Sequence, residues 1–202
     1  DEPSVLTTDC AIEGIHFKRE WSSLREIGAK VAAANLADVY AMGGVPKFLL
    51  VAAAIPKGAS DDIFELAEGI AAEADLVGAQ VIGGDLSSSE KIMITITAVG
   101  TTTKPVKRSG AKIGDVVVVT GLTGWSRAGL NLLEKGFANS DKAISLFKKP
   151  NPPYSSAEKI AKIANSMCDV SDGLLSEASH IGKASSVTLE VDPELISKLV
   201  GF

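Results

Sequence analysis

Four short segments of this sequence place carboxylates beside hydroxyls, amides or glycines: Thr7-Thr8-Asp9, Asn35 with Asp38, Gly83-Gly84-Asp85 and Asp169-Val170-Ser171-Asp172-Gly173. A fifth, Arg108-Ser109-Gly110, adds a guanidinium. Magnesium prefers oxygen donors and keeps several waters or phosphate oxygens, so a few dispersed carboxylates suffice to hold it. A nucleotide's phosphate chain is polyanionic, and phosphoryl transfer from it to an anionic acceptor needs cations and fixed donors to suppress repulsion. The pattern therefore suits a magnesium–nucleotide site.

Each segment also has a plainer reading. Asp9 can open a turn after two strand-favouring threonines. Asn35 and Asp38, three residues apart on a helix, share a face that could simply meet solvent. Gly83-Gly84-Asp85 would let phosphate approach the backbone, or would only turn the chain. Asp172 or Ser171 could bind ligand at a helix N-terminus or merely cap it. The Arg108 fork matches phosphate oxygens, yet an arginine between domains is often solvated. His16, after Glu13-Gly14, is a candidate substrate contact, whereas His180 lies in an ordinary helical stretch. Neither Cys-His nor Ser-His-Asp spacing marks a covalent nucleophile. The phosphate-loop and dinucleotide-binding glycine patterns are missing from the sequence as well.

Strands and helices must carry these groups. The sequence predicts a strand over Ser4–Asp9, then a helix capped by Ser22 or Ser23 and stopped at Gly43-Gly44. Phe48–Ile55 reads as a strand buried on both faces, and Ser60 as the cap of the next helix. Val81-Ile82 and the alternating Ile92–Thr97 read as a strand pair, with Asp85 just beyond the first strand. A turn-rich stretch over Ser109–Asp115 puts the domain boundary near residue 106. Beyond it we expect a strand at Val116–Thr120, helices over Ser126–Lys135, Lys142–Lys148 and Ser156–Asn165, a helix after Gly173, and a strand at Val187–Val191. The fold class is thus α/β (α+β), with an N-terminal domain over 1–105 and an α/β C-terminal domain over 106–202.

Composition narrows the function classes. The 202 residues are 46% apolar and 22% charged, as in a globular chain. A net charge of -5 disfavours a nucleic-acid backbone as partner. No apolar run approaches the roughly 20 residues of a membrane helix. Cys10 and Cys168 lack paired metal-ligand spacing, so reduced thiols in cytoplasm are expected.

Taken in order, Thr7-Thr8-Asp9, Glu13-Gly14-Ile15-His16-Phe17, Asn35-Leu36-Ala37-Asp38 through Met42-Gly43-Gly44-Val45-Pro46, Gly83-Gly84-Asp85, Arg108-Ser109-Gly110 and Asp169-Val170-Ser171-Asp172-Gly173 resemble the thiamine-monophosphate kinase family. Single pieces recur in the wider superfamily with aminoimidazole-ribonucleotide and selenophosphate synthetases, but Glu-Gly-x-His-Phe with Val-Ser-Asp-Gly points to the kinase. The resemblance implies transfer of the terminal phosphoryl of ATP to thiamine monophosphate. It assigns Thr7, Thr8, Asp9, Asp38, Asp85, Asp169 and Asp172 to several magnesium ions, and Gly84, Asp85, Arg108 and Ser171 to nucleotide. His16 falls on the acceptor side, and a homodimer through the N-terminal sheets is implied. The family's upstream Gly-Asp-Asp motif and downstream Gly-Gly-Glu-Asp-Tyr-Glu segment are not in this sequence, so an incomplete copy is expected. Ala37 and Gly44 stand where the family often has Ser and Ala. The competing readings are another ATP-dependent synthetase of the superfamily and a nonenzymatic nucleotide-binding or dimerisation fragment.

Overall fold

The computed structural model describes residues 3–58, 60–121, 123–138 and 141–200. Its first half is a four-stranded sheet with two helices: β1 (Ser4–Ile12), α1 (Leu24–Ala41), β2 (Val45–Ile55), α2 (Ser60–Asp75), β3 (Gln80–Ser88) and β4 (Met93–Thr101). The strands lie in the order β1-β4-β2-β3. β4 pairs antiparallel with β1 and β2, while β2 and β3 run parallel.

The parallel pair explains a difference from the sequence reading. A parallel neighbour needs a crossover, which α2 supplies, so β3 lies against β2 and is not the partner of β4. β3 also continues through Gly83-Gly84-Asp85, with Gly84 opposite Val51 and Asp85 opposite Ala52. Asp85 is therefore inside a strand, because the parallel ladder holds the glycines extended.

α1 begins where Ser23 accepts from the Glu26 amide and the Glu26 side chain accepts from the Ser23 amide, a reciprocal capping box. Its alanines let it sit close to its neighbours. A side-chain carbon on Gly28 would lie 2.2 Å from the Leu66 carbonyl oxygen, and one on Gly69 would lie 2.0 Å from that of Arg25. Only glycine on both helices permits this crossing. Leu36, Val39, Leu49, Ile70, Ile94, Ile96 and Ala98 form the core between these helices and one face of the sheet.

The other sheet face is open. Phe48, Leu50 and Ala52 are exposed there, so β2 is not buried on both faces: the two helices cover one side only. The Ser60 cap lies outside the described side chains.

The second half is helical over its described residues: α3 (Trp125–Glu134), α4 (Lys142–Lys148), α5 (Tyr154–Ala161), α6 (Leu174–Ser185) and α7 (Pro193–Val200). The strands expected at Val116–Thr120 and Val187–Val191 are absent. A strand needs a neighbouring strand for its amides and carbonyls, and among the described residues none pairs with either segment. Val116 and Val118 consequently stay exposed. α5 starts two residues earlier than expected, straight after Pro153, and stops four residues earlier.

Four contacts seat the second half on α1, α2 and the turn that leads into α1. Tyr154 stacks on Tyr40 at 5.2 Å and donates to buried Glu73 at 2.8 Å. Trp21 meets Phe147 edge-on at 6.1 Å. The Lys30 ammonium lies 3.6 Å from the centre of the Phe147 ring. No described helix is long and apolar enough to cross a membrane.

Candidate functional site

A cleft of about 740 Å³ is lined by β1, by one face of α1, and by the segment from Met167 to Asp172. Thr7, Asp9, His16, Asp38, Arg108, Asp169, Ser171 and Asp172 all line it. Their sequence separation is large, and the topology removes it.

β1 is an edge strand, and Thr7 and Asp9 alternate onto its helix-covered side. The Thr7 hydroxyl donates to Asp38 Oδ2 at 2.6 Å, tying strand to helix. Asn35 is fully buried, donates to the Val31 carbonyl at 3.0 Å, and accepts from the Asp9 amide at 3.2 Å. The solvent-facing alternative thus fails for Asn35, which instead fixes the backbone that carries Asp9.

Asp38 is pushed up to about 6, chiefly because burial penalises its charge. The Thr7 hydrogen bond opposes this, the charges of Asp169 and Asp9 reinforce it, and Arg108 counteracts them. Carboxylates gathered without a counter-cation behave this way. Among the described residues no three carboxylate, imidazole or thiol groups come close enough to hold a metal by themselves. Magnesium does not need that, since phosphate and water complete its shell, and the all-oxygen set of Thr7, Asp9, Asp38, Asp169 and Asp172 suits it.

The loop before α6 carries the next group. Gly173 is the residue that caps α6, and no side chain bonds the first amides. Neither Ser171 nor Asp172 is used as a cap, so both remain available to the cleft, where both are exposed. Arg108 is held through its carbonyl, which accepts from Ser166 at 2.7 Å and Ser185 at 3.0 Å. Its guanidinium stays half-exposed, 3.9 Å from Asp169.

His16 sits on a tight turn in which Gly14 has φ +84°, a conformation that favours glycine. Glu13 stabilises that turn by accepting from the Ile92 amide at 3.0 Å. His16 Nδ1 accepts from the Ile12 amide at 3.0 Å. A neutral ring with Nδ1 as acceptor carries its proton on Nε2, leaving that donor for a ligand.

Three expected site residues stand elsewhere. Thr8 alternates onto the open sheet face, where its hydroxyl lies 3.0 Å from that of Thr97. Gly84 and Asp85 are on β3, the opposite edge of the sheet from β1, and Asp85 shares the open face with Ala52. In a single chain these three do not line the cleft. Conversely, the cleft includes Lys30, which sequence reasoning passed over. The signal was present as the spacing Lys30, Ala34, Asp38, one residue per turn along a single helix face.

Residues 1–102 match the family described as AIR synthase related protein, N-terminal domain. The fold superposes on the crystal structure of thiamine monophosphate kinase from Aquifex aeolicus with a TM-score of 0.86 and 32% identity, covering 96% of this chain and 70% of that one. The chain belongs to the thiamine-monophosphate kinase family. Another member of the thiamine-monophosphate kinases, from Bacillus subtilis, is 39% identical over 199 residues, covering 93% of this chain and 61% of the relative. A structure of AaThiL complexed with AMPPCP and TMP matches with a TM-score of 0.86 and 31% identity, over 98% of this chain and 68% of that one. The chain spans about three fifths of the length of the first curated kinase relatives it matches.

Proposed function

We propose that this protein transfers the terminal phosphoryl group of ATP to the phosphate of thiamine monophosphate, giving thiamine diphosphate and ADP. The observation that carries the reading is the meeting of Thr7, Asp9 and Asp38 with Arg108, Asp169, Ser171 and Asp172 around one cleft. The similarity to a structure complexed with AMPPCP and TMP supports it.

Thr7, Asp9, Asp38, Asp169 and Asp172 would hold magnesium, which supplies charge neutralisation for the phosphate oxygens when bound. Arg108 and Ser171 would contact the nucleotide. His16 would orient the acceptor through Nε2–H and need not act as a base, because a phosphate is already an anionic nucleophile. The chain's contribution is alignment and electrostatic preorganisation, with no covalent intermediate on the protein.

The site-residue reading extends to Thr8, Gly84 and Asp85 through a homodimer formed by the open sheet faces. Support comes from the apolar row Leu6, Val99 and Phe48, with exposed Leu50 and Met93 alongside. A second copy on that face would bring Thr8 and Asp85 into an interior. Division into 1–105 and 106–202 follows the same reading, since the described strands all precede residue 102. A cytoplasmic setting accords with the two free thiols.

The test is ADP release by the natural full-length protein with magnesium and ATP, with thiamine monophosphate, an aminoimidazole precursor or selenide offered in turn. Release that depends on thiamine monophosphate is expected. Release that depends on either alternative would transfer the assignment to a synthetase, and release indifferent to all three would refute the kinase reading.

A further inference from the structure

Lys30 occupies an unusual position for a lysine. It is half-buried on α1 and lines the cleft two turns from Asp38, about 12 Å along the helix axis at the usual rise per residue. Among the described residues no carboxylate forms an ion pair with it. Its described contact is the face of Phe147, 3.6 Å from the ammonium to the ring centre. Burial alone pushes the ammonium down to about 8.

A partly desolvated ammonium without a counter-ion is held at a cost, and a ring quadrupole returns only part of it. The cleft is also divided by charge. Asp38, bonded by Thr7 and within reach of the Asp169 and Asp9 charges, marks one end along α1, while Lys30 lines the cleft two turns earlier on the same helix. Cations bound by the carboxylates would take the nucleotide's charge at the first end. The second end then presents a cation whose missing partner must arrive with a ligand, and its flexible four-carbon stem lets the charge move toward that ligand.

We propose that Lys30 is the positioning cation for the acceptor's phosphate monoester, leaving the Phe147 face to pair with it beside the magnesium–nucleotide end of the cleft. This rests on the phosphotransfer reading of the same cleft and adds to it the group that selects a phosphorylated acceptor. Lys30 forms no bond to phosphorus and moves no proton; it neutralises and orients an anion.

The experiment uses the full-length protein and the variants Lys30→Met, Lys30→Arg and Phe147→Leu. Steady-state kinetics give separate KM values for ATP and thiamine monophosphate, and calorimetry compares thiamine monophosphate with unphosphorylated thiamine. We expect Lys30→Met to weaken thiamine monophosphate by about tenfold or more, the scale of a lost charged contact, while KM for ATP and affinity for thiamine stay within about twofold. Lys30→Arg should recover part of the loss. Phe147→Leu keeps an apolar side chain in the Leu133–Ile144 cluster and removes only the ring face under the ammonium, so thiamine monophosphate affinity should stay intact. The proposal is overturned if Lys30→Met weakens both substrates equally, if thiamine and its monophosphate respond alike, or if Phe147→Leu reproduces the defect, which would make Lys30 a strut between α1 and α4. A wild-type protein inactive on thiamine monophosphate that binds ATP would sink the kinase reading and Lys30's role with it. Normal wild-type turnover with unaltered Lys30→Met kinetics would sink only the latter.

Discussion

Asp38 is held between two demands. Its place at the wall of the cleft suits a bound cation, yet without one the burial that shapes the site holds its carboxyl up to about 6. The unfolded chain releases that proton near the ordinary aspartate value of about 3.9. The folded form therefore binds the proton more tightly, and metal-free stability falls as pH rises from about 4 through about 6, then levels. Magnesium must displace the same proton, so its affinity should rise with pH up to about 6 and flatten above. Asp38→Asn should flatten both dependences while weakening magnesium-dependent nucleotide binding by about tenfold, the effect of losing one charged contact. Thermal melts and magnesium titrations across that range check this; an Asn variant that keeps the wild-type magnesium response would return Asp38 to a merely solvated role.

α1 carries the groups that matter most, and its seating depends on how closely α2 approaches. Gly28→Ala would drive a methyl group into the Leu66 carbonyl, so the helices must part. Overpacking of this kind costs about 1–3 kcal/mol. We expect a lower melting temperature and weaker nucleotide binding together, because the shift moves Asn35 and Asp38 away from β1; a Gly28→Ala protein with unchanged melting would show that the crossing yields easily. α1 and β4 were legible because Ser23, the alanine-rich run and the alternating Ile92–Thr97 are local signals. Pairing was not local. Gly83-Gly84 looks like a turn, and only the parallel ladder with β2 extends it. Val116–Thr120 looks like a strand, but the pattern is silent on whether a partner edge exists. The same limit applied to Asn35: its spacing from Asp38 was readable, whereas its full burial depends on the sheet and α2 closing around α1. Ser171 and Asp172 looked like caps because nothing in a sequence says that Gly173 takes that position.

The molecule as a whole is asymmetric: helices cover one face of the sheet, and the other presents Leu6, Phe48, Leu50 and Met93 to solvent. Exposed apolar area of that extent on a sheet usually marks an interface. Sedimentation should find a dimer for the natural protein and a monomer for Leu50→Glu, since a charge placed in an apolar contact cannot be solvated there. A monomeric natural protein would leave Thr8 and Asp85 outside the site. Direct, magnesium-assisted transfer between two phosphates is tested most directly by following radiolabel from the terminal phosphate of ATP during a single turnover with thiamine monophosphate. The label should appear in thiamine diphosphate with none retained on the protein. Label on the protein, or released only as inorganic phosphate, would contradict it.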